Sequence, residues 1–369
     1  MIRRLLQLNG LAVVSVVLFH SAGMAFIAMF AWAHRYLPPD VPVNQQIGSF
    51  SYYYLRAIDQ LVVFSIPVFL FVSGYFISVA TNRTTGKLSW SVVWARIRYL
   101  LIPYLLWSVV VLLLLFLEDR TFSVEKIVLG LLIGNTNEVM YYVPLLTQFY
   151  ILAPFFVIMA KRNWKLFLAI AAIIQLFVVL SSYPVFLGLE IPNKQVWAGL
   201  IPKWFFPARI FWFSLGIAVG LNLTQFKNFL SRYKWVFLVV ALACFPVGIV
   251  EWETYFRLSG EAWLPARETI VDTIYALTLI FAFLGFEKFT LPFSSRLNEL
   301  GVKSYGIYLT HAIVIVYASK IFYRFTPSLL GQQILFQLIL FALGLGVPLL
   351  LMMIVNRSTL RRYYKYIFG

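Results

Sequence analysis

The sequence predicts an all-α integral membrane protein, a bundle of about ten transmembrane helices with both termini in the cytoplasm. Three observations carry that prediction. First, 62% of the 369 residues are hydrophobic and only 12% are charged, whereas an ordinary globular chain is about half apolar and about a quarter charged. Second, the excess is gathered into blocks of ~20 residues, the length an α-helix needs to cross ~30 Å of hydrocarbon at ~1.5 Å per residue. Third, the blocks are continuous rather than alternating. Helices and closed barrels both satisfy their backbone in lipid, and only helices read this way.

Ten spans follow in order: 8–32, 58–80, 99–118, 142–160, 165–183, 205–222, 235–251, 268–286, 303–322 and 333–355. The first follows Arg3 and Arg4, as a signal peptide would. It outruns a signal's apolar core and has a polar centre at His20, so it reads as a helix of the bundle. The second opens on Asp59 and contains Pro67, and the third is entered through Arg96 and Arg98. Residues 127–137 (IVLGLLIGNTN) are too few to span and read as a re-entrant or interfacial segment. Gln148 and Pro154 lie in the fourth span and Gln175 in the fifth; Pro67 and Pro154 are candidate helix breaks. The seventh holds Cys244, the eighth Asp272 near its outer end, and the ninth His311; the tenth runs into a basic tail. No repeat, coiled coil or separate soluble domain interrupts the series, so residues 1–369 read as one transmembrane unit.

Orientation follows from charge. With the N-terminus inside, cytoplasmic segments hold 19 of the 30 Lys and Arg residues, among them Arg83, Lys87, Arg96, Arg98, Arg357, Arg361, Arg362 and Lys365. Glu287 and Glu299 fall inside, against Asp119, Glu190, Glu253 and Glu261 outside. A net charge of +16 dispersed over short connections is the positive-inside pattern. It forms no contiguous stripe of the kind a phosphate backbone needs, so no nucleic-acid partner is expected. The single cysteine excludes an intramolecular disulfide and a thiol metal cluster, and no metal is expected. The sequons at Asn82, Asn222 and Asn356 fall on cytoplasmic segments and do not argue for glycosylation.

Ionisable groups inside a bilayer are costly and are therefore functional candidates. His20 lies near mid-membrane, about a dozen residues into the first span, and His311 about eight residues into the ninth. Held in low dielectric, His20 stays neutral and can take a proton from a hydroxyl as a general base. It can equally serve as a hydrogen-bonding imidazole between helices, and the same choice stands for His311. No acid lies three or four residues from His20, so any orienting partner must come from another helix. Arg96 and Arg98 either grip phosphates of a cytoplasmic ligand or anchor the helix end. Tyr52, Tyr53 and Tyr54, with Trp197 and Trp204 on the outer side, are positioned to stack on sugar rings or to form an interfacial belt.

Five segments in order resemble the acyltransferase 3 family of membrane-bound acyltransferases: LNGLAVVSVVLFH (8–20), PVFLFVSGYFI (67–77), ARIRYLLIPY (95–104), YYVPLLTQFYILAP (141–154) and SYGIYLTHAIVI (304–315). The resemblance spans nearly the whole chain. It implies a ten-helix bundle that takes an acyl group, usually acetyl, from cytoplasmic acetyl-CoA or another acyl-CoA. The acceptor is typically a hydroxyl on a carbohydrate or glycolipid of the cell envelope. The setting it implies is the bacterial inner membrane, with membrane lipid around the bundle. By position His20 is the catalytic histidine and Arg96 and Arg98 serve the CoA side. Ser73, Gln148, Tyr150, Tyr305, Tyr308 and His311 line the site.

The chain departs from the family pattern in two places. Asn9 stands where the family usually has arginine eleven residues before the histidine, and Arg4 is a nearby cation on the same helix, roughly 7–8 Å further down; the resemblance implies that both join Arg96 and Arg98 in binding acyl-CoA. Leu146 and Thr147 stand where many members carry a carboxylate. A subgroup, a different acceptor and a non-catalytic member all fit these departures. The functional expectation is therefore an O-acyltransferase using His20. Against it stand an exporter of a glycan or lipid-linked sugar, and a sensor that binds acyl-CoA without turnover. The residues fix neither the acceptor nor the oligomeric state.

Overall fold

Every regular element of the computed structural model is a helix. It describes residues 1–82, 86–118, 123–137, 139–261, 263–264 and 268–369, with the backbone alone at Asn44. Arg83 and Asp119, which entered the charge count, lie outside these residues. In chain order the α-helices are α1 (Ile2–Phe30), α2 (Phe50–Val62), α3 (Ser65–Asn82), α4 (Trp90–Phe116), α5 (Val124–Ile133), α6 (Tyr142–Leu180), α7 (Tyr183–Phe186) and α8 (Lys194–Gly199). They continue as α9 (Ile210–Leu221), α10 (Leu223–Ser259), α11 (Ile270–Gly285), α12 (Ser294–Phe325), α13 (Pro327–Leu330), α14 (Gln333–Arg357) and α15 (Tyr364–Phe368).

Seven helical stretches are long and apolar enough to cross a membrane: Ile2–Met29, Phe50–Asn82, Trp90–Phe116, Tyr142–Phe186, Leu223–Ser259, Ser294–Phe325 and Gln333–Arg357. The expected count was about ten. The difference lies in three places. Phe206–Leu221 and Ile270–Gly285 are apolar but shorter. Within α6, Asn163 leaves the helical region (φ −158°, ψ 92°) and breaks it into two helices, with the Phe156 and Phe167 rings 5.5 Å apart across the break.

Local chemistry explains most boundaries. Pro67 is the third residue of α3, where a missing N–H costs nothing because the first turn has no partner for it. The second span is thus two helices meeting at 63–64. Pro154 lies inside α6 and does not break it, contrary to expectation. Segment 127–137 overlaps the ten-residue α5 (Val124–Ile133), stopped by Gly134 at φ 76°, a left-handed conformation that glycine adopts without strain.

With no hydrophobic force between helices in lipid, close packing of small residues does the joining. Helix α1 packs most extensively on α12, α3 on α9, and α10 on α11. At the α1–α12 contact, a Cβ on Gly10 would stand 2.1 Å from the Leu297 carbonyl oxygen, and one on Gly301 2.0 Å from that of Leu6. The pair α3–α9 repeats the device, with Gly74 against Phe213 and Gly216 against Phe71. In both pairs the helices run parallel.

Candidate active site

Helix α1 carries His20 and α12 carries His311 at the same level, with ring centroids 5.2 Å apart and planes tilted by 47°. His311 is fully buried. Its Nδ1 lies 2.7 Å from the Tyr308 carbonyl oxygen and 3.1 Å from that of Ile307. Carbonyls only accept, so Nδ1 carries the proton and Nε2 is left as a bare acceptor. That Nε2 is buried and has no hydrogen-bond partner.

His20 lies in the wall of a cavity of about 810 Å³, together with Tyr308. Its polar lining comes mainly from α2, α11 and the segments before α6 and α9, with Trp252 from α10. Its charges are matched: Arg56, Lys203 and Arg209 against Asp59, Glu268 and Asp272. Arg56 Nη1 donates to Asp59 Oδ2 at 3.0 Å, and Arg209 Nε to Glu268 Oε1 at 2.6 Å. Gln60 Nε2 donates to Asp272 Oδ1 at 3.0 Å. The Arg56 guanidinium lies 3.2 Å from the centre of the Trp252 ring, and Trp204 adds a second indole to the lining. A balanced set of donors and acceptors with aromatic faces suits a polar, uncharged ligand.

Sequence reasoning placed Asp59 and Asp272 at the ends of their spans but missed Arg56, Gln60, Arg209, Glu268 and Trp252. The available signal was Arg56 and Asp59 three residues apart, one face of a helix entering an apolar span.

The remaining expected residues divide. Tyr308 stacks between the histidine pair and Tyr305, at 6.0 Å from His311 and 6.4 Å from Tyr305, and its hydroxyl donates to the Val139 carbonyl. The Tyr305 hydroxyl reaches the Leu100 carbonyl on α4 at 2.5 Å. Gln148 does not line the cavity. It accepts the Phe206 N–H at 3.2 Å and donates to the Trp204 carbonyl at 2.8 Å, which holds Trp204 in place. Ser73 sits beside the Tyr142 hydroxyl, away from the cavity lining. Tyr150 is buried, 5.7 Å from the Arg96 guanidinium.

The four residues expected on the acyl-CoA side have distinct neighbours in the structure. Arg4 lies over the Phe283 ring at 4.0 Å and bonds the Phe283 and Phe289 carbonyls at 3.0 and 3.2 Å, tying α1 to the end of α11. Asn9 donates to the Gly301 carbonyl at 3.0 Å and to Ser304 Oγ at 2.7 Å, so it clamps α1 to α12. Arg96 turns to the Phe76 carbonyl at 3.2 Å, whereas Arg98 donates to the Tyr366 hydroxyl of α15 at 3.1 Å. Residues two apart on a helix face different ways, and here the two guanidinium groups have separate neighbours. Of the tyrosines expected to meet sugar, Tyr52 is buried and donates to Glu253 at 2.6 Å. Among the described residues, no group of three His, Cys, Asp or Glu side chains gathers to hold a metal ion.

Compared with known proteins, residues 6–353 match the acyltransferase 3 family model, described as an acyltransferase domain. The chain is 25% identical over 320 residues, 81% of each chain, to a protein of Staphylococcus aureus strain MSSA476 named "Probable poly-beta-1,6-N-acetyl-D-glucosamine export protein". Proteins of the same name from strains N315 and MRSA252 match to the same extent. No solved structure matches.

Proposed function

We propose, because the chain belongs to the acyltransferase 3 family, that it moves an acyl group from cytoplasmic acyl-CoA to a hydroxyl of a cell-envelope glycan or glycolipid. Acetyl is the favoured group. In this reading α6 crosses twice about Asn163, and the two shorter apolar helices cross as well. That gives ten crossings with both termini cytoplasmic, in a bacterial inner membrane. The observation that carries the reading is His20, an ionisable side chain on an apolar helix, standing in the wall of a cavity with matched charges and two indoles.

The acceptor enters from the outer end. Its hydroxyl hydrogen-bonds the bare nitrogen of neutral His20, which takes the proton as the oxygen attacks the thioester carbonyl. The C–S bond breaks, and the departing thiolate recovers the proton from the imidazolium. An ester and CoA result. Ser73 is outside the cavity lining, which favours direct transfer over an acyl-serine intermediate. Arg96 and Arg98 supply two separate cationic contacts near the cytoplasmic end rather than one grip on a diphosphate.

A second reading, export of a glycan, is favoured by the names of the staphylococcal relatives. The two separate on acetyl-CoA binding and release of free CoA by the purified protein. Binding with slow CoA release that is lost in His20→Ala supports the transferase. Full release in His20→Ala refutes the proposed base. Failure of the wild type to bind acetyl-CoA refutes the transferase and leaves export.

A further inference from the structure

An imidazole acting as a base needs its second nitrogen held. Among the described residues no carboxylate does this for His20: Asp59 and Glu268 are bound to Arg56 and Arg209, and Asp272 accepts from Gln60 and the Thr269 N–H. Among the described residues no hydrogen bond to His20 forms in the rotamer present. Beside it lies an acceptor with the opposite problem, the buried, unpartnered Nε2 of His311. Such an atom normally forfeits ~1–3 kcal/mol unless something bonds to it. The ring centroids are 5.2 Å apart. With each nitrogen roughly 1.2 Å from its ring centre by ordinary bond lengths, two nitrogens on the line of centres stand about 3 Å apart, hydrogen-bond distance. A turn of the His20 ring that brings its nitrogen onto that line would close the bond.

We infer that His311 is the positioning residue of the site: its Nε2 accepts the N–H of His20 and fixes which His20 nitrogen is left bare toward the cavity. The arrangement replaces the usual carboxylate partner with a neutral imidazole. The Tyr308 and Ile307 carbonyls make it work, because they pin the His311 proton to Nδ1 and so force Nε2 to accept. When His20 takes the hydroxyl proton on its cavity nitrogen, its other N–H stays bonded to His311. The proton on His311 Nδ1 does not move. Only the effect on turnover rests on the acyl-transfer reading; the hydrogen bond itself does not.

The test is imidazole 15N NMR on histidine-labelled protein. The chain has three histidines, His20, His34 and His311, so single substitutions assign every signal. In the wild type His20 should show one tautomer, and the bare nitrogen of His311 should carry the shift of a hydrogen-bond acceptor. His311→Leu should mix the His20 tautomers and slow CoA release about a hundredfold at unchanged KM for acetyl-CoA. His311→Gln, which keeps an acceptor oxygen, should recover most of both. An unbonded His311 Nε2 signal in the wild type overturns the inference without any variant. So does an unchanged His20 tautomer in His311→Leu. If the tautomer responds while the wild type turns nothing over, the positioning role stands and the transferase reading falls.

Discussion

A single methyl group on Gly10 tests how the site is assembled. A Cβ there would meet the Leu297 carbonyl oxygen at 2.1 Å, against ~3.3 Å for an ordinary close carbon–oxygen contact. Helices α1 and α12 must therefore part by roughly 1.2 Å, or tilt to the same effect. Overpacking of this kind costs typically ~1–3 kcal/mol. The larger consequence is for function, because α1 carries His20 and α12 carries His311. A displacement of about 1 Å in a catalytic group can cost about 100-fold in rate. Gly10→Ala should therefore lower the melting temperature modestly and CoA release about 100-fold. Gly23→Ala is the internal control, on the same helix with nothing within 4 Å of the added carbon, and should behave as wild type. The assay is acetyl-CoA turnover alongside thermal unfolding in detergent. If Gly10→Ala turns over and melts like Gly23→Ala, the glycine contact does not set the position of the histidines.

Asn9→Ala removes the hydrogen bonds to Gly301 and Ser304. It should destabilise the fold by about 1 kcal/mol without changing the Kd for acetyl-CoA; a weaker Kd at unchanged melting temperature would return Asn9 to the donor site. Arg96→Ala and Arg98→Ala, which face different neighbours, should lower donor affinity independently and add within about 0.5 kcal/mol in the double variant. A larger coupling in calorimetric titration would mean they share a phosphate. Tyr366→Phe releases Arg98 from the α15 hydroxyl and should tighten acetyl-CoA binding. Weaker binding would make the hydroxyl itself a ligand contact.

What could be read from the sequence was what depends on the composition of one segment. Lys161, Arg162 and Lys165 interrupt an apolar run, and the chain breaks at Asn163 among them. The ten-residue α5 is too short to cross, as its apolar stretch implied. Helix α10 was underestimated, because its ends are charged and were taken for connections, yet the helix runs from Leu223 to Ser259. For Arg96 and Arg98, motif spacing says less than helix geometry: two residues apart is about 200° around the axis, and their neighbours here are separate.

His20 and His311 were each visible as ionisable residues in apolar helices; their meeting was not, since it depends on contacts across nearly the whole chain. A signal for it existed all the same. Gly10 lies ten residues before His20, and Gly301 ten residues before His311. Two parallel helices pressed together at those glycines rise equally, about 15 Å, to the two imidazoles. Equal spacing from a close-contact glycine is therefore what registers the pair. An insertion of one residue between Gly301 and His311 would turn the second imidazole by ~100° off the shared face, and the cavity would keep its base without a partner to orient it.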